Sequence, residues 1–130
     1  MQLKPVHKVR NVNNLKELVY SSAELFKDKK AFVIKNRDGG YEDISHKRLR
    51  SDMDALGTAF YELGLSGKFI AVISENRYEW CVSYLTAACS GVVVPIDKEL
   101  PEKEIINLLK RSEACAVVFA GKFKKVMKEA

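Results

Sequence analysis

Two short, continuous apolar runs flank a longer apolar segment of helical period in the middle of the chain. The runs at 69–73 and 92–96 are too short for helices, and the second is rich in β-branched residues. Both predict strands buried on two faces. Residues 74–76 supply polar turn chemistry, and Asn76-Arg77-Tyr78-Glu79 has the spacing of a capping box, with Asn76 as cap and Glu79 as the N3 acid. A helix is therefore predicted from near Arg77, with Gly91 at the C′ position that stops it. Trp80, Cys81, Tyr84, Leu85, Ala88 and Cys89 recur on one side of it, and Val82 and Ala87 extend the apolar surface round the cylinder. Strand, helix and strand make a βαβ unit with its two strands parallel in one sheet.

Before this unit, Asn13 or Asn14 is placed to cap a helix with an apolar stripe of Leu15, Leu18, Val19, Leu25 and Phe26. Residues 31–35 and 41–44 flank Asp38-Gly39-Gly40, which predicts a β-hairpin. Ser45 then caps a helix carrying Leu49, Met53, Leu56, Phe60 and Leu63 on one face and ending at Gly64. Gly57 within that helix costs about 1 kcal/mol relative to alanine, which suggests a close contact there. After the unit, Pro101 stands at a plausible N1, with Ile105, Ile106, Leu108 and Leu109 on the buried side. A third apolar run at 116–120 precedes a basic amphipathic tail with Phe123, Val126 and Met127. The first twelve residues read as an extended lead-in packed on a later element. The fold class is thus α/β: one domain over 1–130, a three-layer-like parallel sheet of successive βα units, preceded by a helix and a hairpin.

The 130 residues suffice for one core, and no apolar run approaches the roughly 20 residues that span a bilayer. No secretory signal opens the chain, so a cytoplasmic location is expected. Cys81, Cys89 and Cys115 sit in apolar segments with no C-x-x-C pair, as reduced core thiols do. His7 and His46 have no metal-spaced partner. A net charge of +5 falls in short basic clusters, but Asp28, Asp52, Asp54 and Glu129 interrupt or flank them without an aromatic ladder, so no nucleic-acid partner is expected.

In an open parallel sheet, ligands bind beyond the carboxyl ends of the strands. Those ends carry Ser74, Glu75 and Asn76, then Asp97, Lys98 and Glu99, then Gly121 and Lys122. Turn and cap roles alone account for all of them, because polar connections occur in every such fold. Gly67-Lys68 and Gly121-Lys122 are not phosphate loops, since Glu62 or Ala116 stands where the first glycine belongs and phenylalanine follows each lysine. Neither G-x-G-x-x-G after a strand nor G-x-S-x-G occurs. Glu75 and Glu79 read as a solvated acid and a capping partner, not an acid/base pair.

The order of segments from about Leu15 to Phe119 resembles the N-terminal portion of the adenylate-forming acyl-CoA synthetases and ligases, most closely the long-chain fatty-acyl group. Tyr41-Glu42-Asp43-Ile44-Ser45 stands where that family has a Tyr-x-Glu-Leu-type segment. Ile70-Ala71-Val72-Ile73-Ser74-Glu75-Asn76-Arg77-Tyr78-Glu79-Trp80 matches its strand with Asn-Arg and Glu-Trp, and Ala88-Cys89-Ser90-Gly91-Val92-Val93-Val94-Pro95-Ile96-Asp97 its helix end, glycine and second strand. Gly67-Lys68 departs from the family's Gly-Asp.

The resemblance implies ATP, Mg2+ and CoA as cofactors of the parent enzyme. It implies none for these 130 residues, because the family's Ser/Thr/Gly-rich loop, its magnesium- and ribose-holding segments and its adenylating lysine have no counterpart here. It further implies Asn76, Arg77 and Trp80 as one wall of the parent's acyl pocket, and no catalytic or metal-binding residue. The expected partners are the parent's missing subdomains and, through uncovered apolar surface, a second copy. The alternative reading is a free-standing small α/β binding or regulatory module.

Overall fold

The computed structural model describes residues 6–130, so part of the expected lead-in, residues 1–5, lies outside the described residues. Helix α1, Leu15–Phe26, starts at Asn14, whose side chain accepts from the Glu17 N–H at 2.8 Å while the Glu17 carboxylate accepts from the Asn13 N–H. Its inward residues are Val19, Ser22 and Ala23. Leu15, Leu18 and Leu25 of the expected stripe remain exposed, because the neighbouring helices cover only the side that carries Val19 and Ala23. From the lead-in, Arg10 donates to the Ser22 hydroxyl and to the Leu18 carbonyl.

Strands β1, Lys30–Lys35, and β2, Tyr41–Ser45, form the antiparallel hairpin, turned at Gly39 with φ +84°. Helix α2, His46–Glu62, follows at once, capped by the Ser45 hydroxyl on the Arg48 N–H. It buries Leu49, Met53 and Phe60, but Leu63 lies just beyond its end and points outward. No tight contact explains Gly57: a Cβ there would meet the Thr86 methyl at 3.7 Å, an ordinary distance.

The remaining elements are β3 (Phe69–Ile73), α3 (Tyr78–Ser90), β4 (Val92–Pro95), α4 (Glu102–Arg111), β5 (Ala116–Phe119), a 3-10 turn at Gly121–Phe123 and α5 (Lys124–Glu129). All three strands are parallel, in the order β4-β3-β5. Alternation of side chains across the sheet builds two cores. Ile70 and Val72 pack with Phe60, Ala87 and Trp80 under α2 and α3, while Ala71, Ile73 and Ile96 pack with Ile105, Phe123 and Val126 under α4 and α5. Helix α1 closes the first side through Val19, Leu49, Met53 and Val82. The result is the expected α/β layering with the hairpin outside it.

Several local readings are corrected. Only β3 is buried on both faces; β4 is an edge strand, with Val92 exposed, because it has one neighbour. Gly91 is not left-handed: its φ is −170°, and it is required because a Cβ would stand 2.3 Å from the Lys68 carbonyl oxygen. Pro101 is the N-cap of α4 and not N1, its extended carbonyl accepting from the N–H groups of Glu104 and Ile105. Cys81 and Cys89 are half-buried free thiols, whereas Cys115 is exposed where the chain enters β5.

Candidate functional site

Beyond the carboxyl ends of β3 and β5, the turn at 74–77 faces the turn at 120–122. Lys122 reaches across to Glu75, Nζ to carboxylate 3.0 Å. The Glu75 carboxyl is held below the usual range by its own backbone N–H and then by Lys122. Between the turns, Ser74, Arg77 and Trp80 on one side and Val118, Phe119 and Gly121 on the other enclose a cleft of about 210 Å³. A wider cleft of about 660 Å³ lies on the other side of the α3 start, between Asn76, Arg77, Tyr78, Trp80 and strand β1. Asn76, Arg77 and Trp80 are therefore neighbours on one rim, with Arg77 and Trp80 lining both clefts and Asn76 only the wider one.

The expected capping box is not formed. Arg77, extended at φ −153° and ψ 161°, takes the N-cap position, and no side chain caps the helix. The reason is a competing pair: the Arg77 guanidinium grips the Glu79 carboxylate at 2.9 and 3.1 Å, so Glu79 does not reach back to a cap N–H. Arg77 holds the Glu79 carboxyl below the usual range, aided by the Glu79 backbone N–H. Trp80 lies on Tyr84, with ring centroids 5.1 Å apart and planes 24° from parallel, which gives the rim an aromatic wall.

Tyr78 anchors this rim. Its hydroxyl donates to Asp52 at 2.8 Å, Asp52 is gripped in turn by Arg48 at 2.9 and 3.0 Å, and the Phe32 ring meets the Tyr78 ring edge-on at 5.3 Å. Burial, then the bond to Asp52, push the Tyr78 hydroxyl pKa well up. Sequence reasoning missed this link, since Tyr78 and Asp52 are separated by 26 positions and no local pattern joins them. The β4 end contributes to neither cleft: Asp97 accepts from the Glu99 N–H at 2.9 Å, and Lys98 pairs with Glu99.

These residues fit neither a magnesium ion nor a triphosphate. Glu75 and Glu79 are both neutralised by cations, and among the described residues no three His, Cys, Asp or Glu side chains gather. Gly121 opens a three-residue 3-10 turn rather than a glycine-rich loop, and the Lys122 ammonium is committed to Glu75. The rim can offer one guanidinium, one carboxamide and an aromatic face.

The family model described as AMP-binding enzyme matches residues 19–130. The chain belongs to the AMP-binding enzyme family. A CoA ligase of Gibberella moniliformis is 29% identical over 96 residues, covering 70% of this chain and 16% of the relative. A crotonobetaine/carnitine–CoA ligase of Escherichia coli is 25% identical over 112 residues, covering 85% of this chain and 22% of the relative. This AMP-binding family member thus spans less than a quarter of the length of these curated relatives. The inhibitor-bound N-terminal domain of FACL13 from Mycobacterium tuberculosis has the same fold, with TM-score 0.79 and 18% identity over 91% of this chain and 29% of that one. The anthranilate CoA ligase AuaEII in complex with anthranoyl-AMP gives TM-score 0.78 and 17% identity over 90% of this chain and 22% of that one.

Proposed function

We propose that residues 1–130 are a single domain, the N-terminal scaffold of an ATP-dependent acyl-CoA ligase. In the whole enzyme a carboxylate and ATP yield acyl-AMP and pyrophosphate, and CoA then takes the acyl group. The observation that carries this reading is the AMP-binding family match over 19–130. The names of the similar proteins span carnitine, anthranilate and unspecified CoA ligases, so the substrate class is a carboxylic acid, with a long-chain fatty acid as the narrower expectation. Asn76, Arg77 and Trp80 form part of the acyl pocket wall in that enzyme, Arg77 and Trp80 supplying a stem and ring surface against which an apolar chain lies.

By itself the chain carries out neither half-reaction. Attack on the α-phosphate needs donors and a cation set on the charge that develops there, and the rim supplies one already-paired guanidinium. The partner is the remainder of the ligase, and the chain alone associates with itself through apolar surface left uncovered. The reducing cytoplasm suits three free cysteines, and among the described residues no helix is long and apolar enough to cross a membrane.

Two measurements test this reading. ATP–pyrophosphate exchange with magnesium and a panel of short to long carboxylic acids is expected to give no carboxylate-dependent signal with the purified chain, and exchange that survives removal of contaminating ligase overturns the scaffold reading. An antibody to the chain, used on extracts of its source cells, is expected to detect a polypeptide several times longer than 130 residues. A native species of 130 residues supports the free-standing module.

A further inference from the structure

The contacts that shape the rim are of two kinds. Arg77 on Glu79 and Trp80 on Tyr84 join residues of one helix start, so they fix the shape of the rim and travel with it. Among the described residues, Tyr78 alone of residues 77–80 sends a side-chain hydrogen bond to another element, its hydroxyl donating to Asp52 of α2 at 2.8 Å. No side chain caps α3, so the usual means of fixing a helix start does not operate there. Asp52 is itself a fixed acceptor: Arg48, one turn earlier on α2, donates from Nε to both of its oxygens at 3.0 and 2.9 Å, and the Arg48 N–H meets the Ser45 cap. Burial, and then Asp52, keep the Tyr78 hydroxyl protonated well above neutral pH, so it stays a donor. This tie lies wholly within α2 and α3, and nothing beyond Ala130 is needed to make it.

We propose that Tyr78, held by Asp52 and Arg48, is a positioning residue for substrate selection, setting where Arg77 and Trp80 stand against the carboxylic acid. The proposal rests on the reading of Arg77 and Trp80 as part of the acyl pocket wall. Asp52 and Arg48 line neither cleft, so they act on the acid only through Tyr78. The opposite end of α3 is pressed on the Lys68 backbone at Gly91, so loss of the tie lets the helix start swing about that end. Such a swing moves Arg77 and Trp80 together and leaves the β3–β4 pairing in place. Binding of the acid therefore depends on the tie, because a wall that selects by shape works only when its side chains are held in position. Binding of ATP does not, since the rim fits neither a magnesium ion nor a triphosphate.

Steady-state kinetics of the whole ligase test it. Tyr78→Phe and Asp52→Ala should each raise the KM for the acid by roughly threefold to tenfold, with kcat and the KM values for ATP and CoA changed by less than about twofold. Asp52→Asn keeps an oxygen for the hydroxyl and should recover most of the loss. The double variant Tyr78→Phe with Asp52→Ala should be no worse than the poorer single one, because both remove the same tie. In the 130-residue chain Trp80 is the only tryptophan, so its emission reports on the rim and should shift in Tyr78→Phe while the circular dichroism is kept. An acid KM indifferent to Tyr78→Phe overturns the proposal, as does an equal rise for acid and ATP, which is general loosening, or an unshifted Trp80 emission. Arg77→Ala and Trp80→Ala separate this from failure of the pocket-wall reading. If neither alters the acid KM, the wall itself is wrong and the tie falls with it; if both raise it and Tyr78→Phe does not, only the tie is wrong.

Discussion

At the C-terminal end of α3, Gly91 lies so close to the start of β3 that an added Cβ would fall 2.3 Å from the Lys68 carbonyl oxygen and 2.9 Å from its nitrogen. The Gly67 N–H donates to the Ser90 carbonyl at 2.7 Å, and the Val92 N–H to the Lys68 carbonyl at 2.9 Å. At the N-terminal end of the same helix no backbone contact of this kind occurs. Position is set there by side chains: Tyr78 on Asp52, Arg77 on Glu79, and Trp80 on Tyr84. One end is fixed by the fold itself and tolerates one residue type. The other is held by replaceable contacts and lines two clefts, which is how a scaffold leaves a rim free to vary without risking the sheet.

The largest expected effect breaks the tight end. Gly91→Ala should destabilise the chain by about 3 kcal/mol or more, since its Cβ meets backbone, not a flexible side chain, and the β3–β4 pairing must shift to make room. Urea unfolding followed by circular dichroism measures it, and a loss under about 1 kcal/mol would mean the approach is softer than described. At the open end Tyr78→Phe should cost only about 1 kcal/mol, because the ring still packs on Phe32 and Arg48 still satisfies Asp52. A double-mutant cycle with Asp52→Asn isolates the hydroxyl contact, and equal losses from Gly91→Ala and Tyr78→Phe would erase the contrast between the ends.

The same contrast explains what could be read from the residues alone. Strands β3, β4 and β5 were legible because a run of four or five apolar residues has few alternatives, and their shared parallel direction followed from the helices between them. Gly91 was legible as a necessary glycine, though for the wrong reason: a close backbone approach leaves the same residue behind as a left-handed turn does. Asn76 was misread because Arg77 and Glu79, two positions apart, pair with each other across the helix start, and sequence spacing does not show which contact wins. The apolar stripe of α1 leaves Leu15, Leu18 and Leu25 exposed because periodicity shows that a face is apolar, not that something covers it. Nothing local announced Tyr78 and Asp52 as partners.

A smaller effect separates Asn76 from the residues beside it. The side chain of Asn76 caps no helix N–H, and the residue is exposed on the rim of the wider cleft. Asn76→Ala should therefore change stability by less than about 0.5 kcal/mol, below the roughly 1 kcal/mol that a capping asparagine loses. Ser45→Ala, which removes the observed cap of α2, serves as the positive control in the same denaturation series. Equal losses from the two substitutions would restore the capping role to Asn76.

The smallest effect is electrostatic and belongs wholly to the open end. Arg77 first, and then its own backbone N–H, hold the Glu79 carboxyl below the ordinary glutamate range. Because the folded pKa is the lower one, the pair contributes stability that is fully present above the unfolded value of about 4.3 and is lost as pH falls through the folded value. Both side chains are largely solvent-exposed, so salt screens much of that contribution. Carbon-detected NMR titration of the Glu79 carboxyl is expected to show the low value, with Arg77→Gln moving it back up while the Gly91 end of α3 keeps its chemical shifts. If Arg77→Gln left the Glu79 titration where it was, the backbone N–H would be the dominant donor. The arginine would then be free to turn its charge into the clefts, and the rim would be cationic instead of self-neutralised.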